Sequence, residues 1–385
     1  MKGKELIGII HRWLGLASGL VVFIVALTGA LYAFQAEIQD LTQPWRFVDA
    51  TGSAPLPPSR IRALADQALP NRLLHSVHYL EAGRSVVATY YAPTDTYYYG
   101  VYVDPYRGQV LRVVDFNQTF FRWVLNGHYY LWLPPAIGQP LVASATLVFV
   151  LLLLSGLVLW WPKNRKGVRQ RLTVNWSARW RRVNYDLHTV VGFYALTIGL
   201  LLGLTGLVWG FRWVASAMYW STSGGAALVD YAEPASDTSR SATAGPLPID
   251  QLWQRVLREQ PGLQSVEVHF PATPAAPVLI STNTRIDNTW QTDHRFFDQY
   301  TQRELAVNHP YGRYRQATVA DKIARLNYDV HTGAVLGWPG KLLMCLASLV
   351  CASLPVSGAL IWWGRRNKKK PGSVRAPGRA KRVVV

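Results

Sequence analysis

The chain has 385 residues, of which 50% are hydrophobic and only 16% are charged. So low a charged fraction is unusual for a soluble protein and predicts a membrane protein. The two cysteines, Cys345 and Cys351, exclude a disulfide scaffold, a four-cysteine iron–sulfur cluster and a cysteine-rich zinc site, and no CxxCH sequence offers covalent haem attachment. Any metal chemistry is therefore left to histidine and carboxylate.

The formal net charge of +18 is concentrated in three short segments. Residues 1–12, 163–182 and 365–385 contain 20 of the 40 Lys and Arg residues and a single acidic residue, Glu5. Because these segments flank apolar runs, the charge follows the positive-inside rule of membrane proteins. Binding to nucleic acid is not needed to explain it.

Four apolar runs are long enough to cross a bilayer, which requires about 20 helical residues. They are Trp13–Ala36, Leu141–Trp161, Leu187–Phe211 and Leu342–Gly364. The second is expected to begin after Pro134, Pro135 and Pro140, which interrupt the chain before it. With the basic segments inside, both termini are expected to be cytoplasmic. A cleaved signal peptide is the rival interpretation of the first run, but the run is too long and has a counterpart in the second half.

Motifs in the first half recur at the same offsets in the second half. Five positions are identical: His11, Gly15, Thr28, Gly29 and Phe34 match His188, Gly192, Thr205, Gly206 and Phe211. The second and fourth runs share Ser-Gly followed by Trp-Trp, at Ser155–Trp161 and Ser357–Trp363. The pattern predicts two parallel repeats of span, external domain and span, related by a pseudo-two-fold axis along the membrane normal. The alternative is that apolar helices look alike because they use few residue types.

Each external segment is predicted to be a small α+β module. The first should contain a helix at Ser59–Ala68 and strands at Leu73–Leu80, Ser85–Ala92, Tyr97–Val103 and Gln109–Val114. The second should contain a helix at Pro248–Glu259 and strands at Gln264–Phe270, Val278–Asn283 and Asp293–Asp298. Ser236–Pro248 is expected to be a linker, because it is rich in Ser, Thr, Ala, Gly and Pro.

Four of the nine histidines lie at the ends of spans. His11 and His188 lie at the cytoplasmic ends of the first and third spans, and His128 and His331 near the external ends of the second and fourth. A two-fold axis would bring His11 to His188 and His128 to His331. Two facing imidazoles can supply both axial ligands of a haem iron, whereas zinc, the rival metal, needs further donors. Taken singly, each histidine is more simply an interfacial residue.

Other residues have weaker claims to a function. Gly15 and Gly192 lie one helical turn after a histidine and either make room for a flat macrocycle or pack helices. Candidate cations for haem propionates, by location only, are Arg12, Arg181, Arg182, Arg325 and Lys341. His75 and His78, three apart in a predicted strand, should point to opposite faces and make poor ligands for one metal. A cluster of seven tyrosines between Tyr90 and Tyr106 either cradles a bulky ligand or packs strands.

Several of these motifs resemble the family of PepSY-associated transmembrane proteins. They are His11-Arg-Trp-Leu-Gly-Leu, Leu-Thr28-Gly29-Ala-Leu, Asp104-Pro-Tyr-Arg-Gly108 and Tyr-Asp186-Leu-His188. The resemblance extends from about His11 to Arg366. Within the family, the chain is most similar to the inner-membrane ferric-siderophore reductases of Gram-negative bacteria, of the FoxB-like ferrioxamine reductase kind.

The resemblance implies an inner-membrane reductase with two non-covalent, bis-histidine haem b groups and periplasmic PepSY-like domains. The enzyme would reduce a ferric siderophore such as ferrioxamine in the periplasm and release Fe(II). The inner haem would be held by His11 and His188, and the outer haem by His128 and His331. Because the sequence lacks a G-x-G-x-x-G motif, quinol or a separate cytoplasmic reductase is the expected electron donor.

The expected organisation follows from the spans and the resemblance. In order it is helix 1 (1–36), PepSY-like domain 1 (37–127), a periplasmic lead-in with helix 2 (128–162), a basic cytoplasmic loop (163–182), helix 3 (183–214), PepSY-like domain 2 (215–326), a periplasmic lead-in with helix 4 (327–364) and a basic cytoplasmic tail (365–385). Two other functions remain open: a haem conduit from quinol to a protein acceptor, and a non-redox PepSY module that binds a peptide or protein.

Overall fold

The computed structural model describes residues 3–92, 97–162, 168–240 and 248–366. Within them, four helical segments are long and apolar enough to span a membrane: Gly3–Tyr32, Pro135–Trp160, Trp180–Gly210 and Ala334–Arg366. Each predicted span coincides with most of one of these segments. The predicted basic tail beyond Arg366, residues 163–167 of the basic loop and residues 241–247 of the linker lie outside the described residues.

Twelve α-helices are found in the described residues. They are α1 (Gly3–Tyr32), α2 (Gln35–Thr42), α3 (Pro58–Ala68), α4 (Phe120–Tyr130), α5 (Pro135–Trp160), α6 (Val168–Leu172), α7 (Trp180–Asp186), α8 (Gly192–Gly210), α9 (Arg212–Thr222), α10 (Ile249–Glu259), α11 (Val319–Thr332) and α12 (Gly337–Arg366). A π-helix, Leu187–Val191, joins α7 to α8.

Eight strands form one antiparallel sheet. They are β1 (Leu74–Tyr79), β2 (Val86–Tyr91), β3 (Tyr98–Val103), β4 (Val110–Asp115), β5 (Ser265–His269), β6 (Val278–Asn283), β7 (Asp293–Phe297) and β8 (Glu304–Leu305). Their order is β4-β3-β2-β1-β5-β6-β7-β8. Because β1 pairs with β5, the two modules expected from the sequence share one continuous sheet.

One face of the sheet is covered by α3 and α10. Val77, Ala88 and Val268 on the strands pack with Ile61 of α3 and Leu252 of α10, and all are almost fully buried. Both helices are amphipathic, so burying their apolar sides on the strands gives the external part of the chain its own hydrophobic core.

The spans pack as a bundle, in which α1 lies against α5 and α12, and α8 lies against the same two helices. Most residues of the four segments are not buried within the protein, and apolar side chains such as Leu20 and Trp363 are exposed. So large an apolar surface is stable only in lipid or under a partner, which agrees with a membrane protein.

The second span begins earlier than the sequence predicted. Helix α5 starts at Pro135 rather than after Pro140. Proline is favoured in the first turn, where its missing N–H would be unpaired in any case, so Pro135 begins the helix instead of interrupting it. Pro140 lies inside the helix and costs one backbone hydrogen bond.

His128 and His331 do not lie on the spans themselves. His128 is in the last turn of α4 and His331 in the last turn of α11, the helices that precede the second and fourth spans. Helix α11 ends at Gly333 with φ +81°, and a Cβ there would lie 2.3 Å from the carbonyl oxygen of Gly340. Only glycine permits so close a turn from α11 towards α12.

The prediction that His75 and His78 point to opposite faces is wrong. The pairing of β1 with β2 shifts register between Leu74 and Ser76, so His75 is an extra residue in a bulge. Its ring contacts His269, while His78 pairs in register with Glu267 of the same strand, β5. Since residues 267 and 269 share a face, both histidines lie on the face opposite the helices.

Candidate cofactor-binding cavities

Two cavities lie between the spans. The sheet-side cavity, nearer the sheet, has a volume of about 340 Å³ and is lined by His128 and His331. The basic-side cavity, nearer the basic helix ends, has a volume of about 410 Å³ and is lined by His11 and His188. Such volumes fall in the range of about 300–1,000 Å³ found for cofactor pockets. The structure therefore brings together both histidine pairs that the sequence suggested.

The two imidazoles of the sheet-side cavity have the spacing of two ligands bound to opposite sides of one metal ion. The ring centres of His128 and His331 are 6.2 Å apart, with an angle of 65° between the rings. A transition metal binds an imidazole nitrogen at about 2 Å, so two imidazoles on opposite sides of one ion have centres roughly 6 Å apart. The observed spacing fits a haem iron between them.

Hydrogen bonds fix which ring nitrogen carries the proton in the two histidines of the sheet-side cavity. Nδ1 of His128 lies 2.9 Å from the backbone oxygen of Val25, which can only accept, so Nδ1 carries the proton. Nδ1 of His331 lies 2.8 Å from the Thr205 hydroxyl, which itself donates to the carbonyl of Leu201. His331 is therefore the donor in this bond. In both rings Nε2 is left with its lone pair free for a metal.

The basic-side pair is held in the same way. Nδ1 of His11 lies 2.9 Å from the Ser155 hydroxyl, and Nδ1 of His188 lies 2.9 Å from the Ser357 hydroxyl. Each serine donates its own proton to a carbonyl of its helix, Ser155 to that of Leu152. The serines accept from the imidazoles, and Nε2 of each ring is again the nitrogen without a protein partner in the described part of the chain.

A glycine follows each of four hydroxyl residues that lie near the histidines, and each glycine lies against an imidazole. The hydroxyl residues are Thr28, Thr205, Ser155 and Ser357. Cβ atoms added to Gly29 and Gly206 would lie 2.9 Å and 3.7 Å from Cε1 of His128 and His331. At Gly156 and Gly358 the distances to Cε1 of His11 and His188 would be 3.5 Å and 3.4 Å. Each glycine thus leaves room for a ring. The preceding hydroxyl orients the rings of His11, His188 and His331, whereas the Val25 carbonyl is the nearer partner of His128.

Two asparagines in the second half add hydrogen bonds between the segments that carry the histidines and the neighbouring spans. The sequence analysis missed both asparagines. Nδ2 of Asn184 donates to the backbone oxygen of Ser357 at 3.1 Å, and Nδ2 of Asn327 donates to that of Thr205 at 3.1 Å. Each asparagine lies four residues, about one helical turn, before its histidine, so both side chains reach the same residue of the neighbouring helix. The repeated sequence Asn-Tyr-Asp-x-His, at 184–188 and 327–331, was the available signal.

The aspartate of this repeated sequence anchors a nearby loop in both places. Asp329 is fully buried and accepts from the backbone N–H groups of Thr289 and Trp290. Asp186 accepts from the backbone N–H of Asn175 and pairs with Arg182 at 2.9 Å. The asparagine fixes the histidine-bearing helix to a span, and the aspartate fixes it to the segment beside it.

Of the five cations proposed for haem propionates, only Arg12 lines a cavity. Arg325 is buried and donates to three backbone carbonyls, and Lys341 pairs with Glu37 at 2.7 Å. Arg171 and Arg365, which the sequence did not single out, also line the basic-side cavity. The lining of this cavity therefore contains three cations, of which Arg171 already donates to backbone carbonyls of Leu159 and Trp160. Within the described residues, no Lys or Arg lines the sheet-side cavity.

The tyrosine cluster packs the sheet instead of lining either cavity. Tyr90 is completely buried on the helix-covered face and donates to Asp66 at 2.6 Å, and Tyr98 lies against Phe116. The strand-packing interpretation of the cluster therefore accounts for these residues. The tyrosines that do line the sheet-side cavity come from other segments: Tyr32, Tyr129, Tyr130 and Tyr328.

The cavities suit a metal held in a macrocycle better than a bare metal ion. Among the described residues no group of three or more His, Cys, Asp and Glu side chains is placed to hold a metal. Each cavity provides two imidazole nitrogens and an otherwise mostly apolar wall, and a macrocycle would supply the remaining four donors. Val22 and Phe149 line both cavities and so form a shared wall between them.

Comparison with known proteins identifies the family. No curated protein shows significant sequence similarity to the chain. The sequence profile described as the PepSY-associated TM region matches residues 9–365, which is most of the chain and includes all four spans, the sheet and all four cavity histidines. The chain belongs to the PepSY-associated transmembrane family.

Proposed function

We propose that this protein is a di-haem b reductase of the bacterial inner membrane, which passes electrons across the bilayer to a ferric siderophore and releases Fe(II) in the periplasm. One observation carries the proposal. In each of two cavities, a pair of histidines has Nδ1 protonated by hydrogen bonding and Nε2 free, and the sheet-side pair has the spacing of imidazoles on one metal.

Haem bound between two imidazoles supplies a reversible one-electron change at its iron. The protein holds and orients it. His11 and His188 are the proposed axial ligands on the basic side, and His128 and His331 on the sheet side. Hydroxyl and carbonyl partners on Nδ1 make each imidazole a stronger donor and fix its plane, as partners of metal-bound histidines generally do.

The lining of the cavities serves the same purpose. Val22 and Phe149 form an apolar wall between the two sites, which would keep water out of the space between them. Trp160 stacks on Phe193 with 3.8 Å between ring centres and closes part of the basic-side cavity. Arg12, Arg171 and Arg365 would neutralise carboxylates there, which lowers the cost of burying an anionic group.

The proposed orientation follows from charge. The basic segments 1–12, 163–182 and 365–385 favour the cytoplasm, so the sheet would face the periplasm. Electrons would be supplied at the basic-side cavity by quinol or by a separate cytoplasmic reductase, and the ferric chelate would accept them at the sheet side.

The sheet also limits where the chelate would dock. Docking between two external modules is not possible along the β1–β5 edge, because these strands pair directly. The sheet-side cavity instead meets the external part at Tyr32, Tyr129 and Tyr328, whose rings and hydroxyls suit a bulky, partly polar ligand. Transfer of one electron converts Fe(III) to Fe(II), which binds the hard oxygen donors of such a chelate less strongly.

Rapid mixing of dithionite-reduced protein with ferric chelates tests the proposal. We expect ferrioxamine to reoxidise the reduced protein. One Fe(II) should form for each haem that is oxidised, and ferrozine should trap it. The His331→Ala variant should react far more slowly with the chelate, although its basic-side site still accepts electrons. A reduced protein that does not react with any chelate would favour a conduit to a protein acceptor, and a colourless protein would favour a non-redox binding module.

A further inference from the structure

The pairing of β1 with β5 brings two histidines together on the sheet, far apart in sequence and outside both cavities. Nε2 of His75 lies 3.3 Å from Nδ1 of His269, with the ring centres 5.0 Å apart. The side chain of His269 is 21% exposed and His75 is exposed, so solutes can reach both rings.

The bulge in β1 is what makes this contact. His269 stands opposite Ser76 in the register, and the extra residue turns the neighbouring His75 towards the same face. Bulges often re-aim a side chain at a binding site. Tyr91, with its ring centre 5.9 Å from that of His75, supports the imidazole from the next strand.

A carboxylate lies behind His269. Oε2 of Glu267 is 3.5 Å from Nε2 of His269, and Oε1 accepts from the Ser76 hydroxyl at 2.6 Å. With its Nε2 proton directed at Glu267, neutral His269 presents the lone pair of Nδ1 to His75.

We propose that His75 Nε2 and His269 Nδ1 form a binding site for one divalent transition metal ion of the kind that prefers imidazole, such as Ni²⁺, Zn²⁺ or Fe²⁺. Two nitrogens bound to one tetrahedral ion at about 2 Å are roughly 3.3 Å apart, as these two are. Glu267, His269 and the ion would form the carboxylate–histidine–metal arrangement common in metal sites.

The site is open and independent of the haem proposal. Among the described residues no third His, Cys, Asp or Glu completes the group, so the remaining positions would be filled by water or by an arriving ligand. Neither His75 nor His269 lines a cavity, so metal binding here requires no haem. The competing state is a direct hydrogen bond in which His75 Nε2–H donates to His269 Nδ1, with no affinity for metals.

Calorimetric titration of the untagged, full-length protein in detergent with Ni²⁺ separates the two states. We expect one Ni²⁺ per chain. The variants His75→Ala and His269→Ala should each weaken binding by tenfold or more. Glu267→Gln should weaken it by about 10–100-fold, as loss of a partner behind a metal-bound histidine does.

His78→Ala is the matched control, because His78 lies on the same strand and face but its Nε2 bonds to the Ser265 hydroxyl at 2.8 Å. It should bind Ni²⁺ as the wild type does. As a measurement that needs no variant, Ni²⁺ should protect His75 from carbethoxylation by diethyl pyrocarbonate, read by mass spectrometry. Absence of Ni²⁺ binding by the wild type, or unchanged binding by His75→Ala and His269→Ala, would overturn the proposal.

Discussion

His128 and His331 face each other with ring centres 6.2 Å apart, although they lie on α4 and α11 in different halves of the chain. Their positions are set by the neighbouring spans, where Thr28 and Gly29 lie against one ring and Thr205 and Gly206 against the other. Substitutions of the residues around the imidazoles can therefore disturb this arrangement while both histidines stay in place.

The Thr205→Val variant should lose haem from the sheet-side cavity more readily than the wild type. Valine keeps the shape of threonine but cannot accept the proton of His331 Nδ1, so the orientation of the ring is no longer fixed. We expect haem affinity at this site to fall by about 10–100-fold, measured by transfer of haem to apomyoglobin. Thr146→Val is the control, because Thr146 lines the same cavity but bonds only to Val142 of its own helix.

Alanine should be harmful at Gly29 and tolerated at Gly206. A Cβ at Gly29 would come within 2.9 Å of the His128 ring, whereas at Gly206 the distance to the His331 ring is an ordinary 3.7 Å. Forcing the ring aside costs about 1–3 kcal/mol. We expect Gly29→Ala to lower the haem content of the purified protein and Gly206→Ala to leave it close to that of the wild type. Equal effects of the two substitutions would contradict the difference in space between the two sites.

Asn327→Ala should loosen α11 and shift the spectrum of the sheet-side haem. The variant removes the hydrogen bond from Asn327 to the Thr205 carbonyl and leaves only the bond between His331 and the Thr205 hydroxyl. The free energy of unfolding should fall by about 1–2 kcal/mol. Low-spin haem signals in electron paramagnetic resonance report the orientation of axial imidazoles and should broaden or move. Asn126→Ala serves as control, because the side chain of Asn126 makes no bond to the described residues; a matching change there would argue against this role of Asn327.

Asp40 should make stability depend on pH in the acid range. Hydrogen bonds from Arg84, opposed by partial burial and aided by Arg46, lower the pKa of Asp40 below its ordinary value of 3.8. Because the folded pKa is the lower one, this stabilisation is complete above about pH 4 to 5 and is lost as pH falls through the folded value.

The Asp40→Asn variant should therefore have a lower melting temperature than the wild type at pH 7, by the equivalent of about 1–3 kcal/mol. The difference should shrink as the pH is lowered through 3.8. Asp49→Asn is the control, since Asp49 is 88% exposed and its ion pair with Arg107 should contribute little. A difference that persists unchanged at low pH would contradict this account of Asp40.

Local patterns predicted much of the secondary structure. The strand at Val278–Asn283 has the predicted bounds, and the helix at Pro58–Ala68 begins one residue earlier than expected. Apolar runs located the spans, because lipid demands long apolar helices whatever the tertiary packing. Helix ends were harder to predict, as at Pro135, because a proline in the first turn and one before the helix look alike in sequence.

Contacts between distant segments were beyond such patterns. The pairing of β1 with β5 and the bulge at His75 depend on how strands meet in space, and both changed the conclusions drawn for His75 and His78. His11 and His188 could be singled out from matching offsets, and His128 and His331 from roughly equivalent positions near the ends of spans. The hydroxyl partners of these histidines belong to the repeated Ser-Gly and Thr-Gly motifs. A repeat pattern does not show which groups form hydrogen bonds, so the roles of Ser155 and Thr205 became clear only from the structure.

Haem content per chain, measured as the pyridine haemochrome of the purified protein and of four single variants, tests the central claim most directly. We predict two haem b groups in the wild type and about one in each of His11→Ala, His188→Ala, His128→Ala and His331→Ala. The double variant His128→Ala/His188→Ala should contain almost none. A wild-type protein without haem, or single variants that all retain two, would contradict the assignment of the histidine pairs.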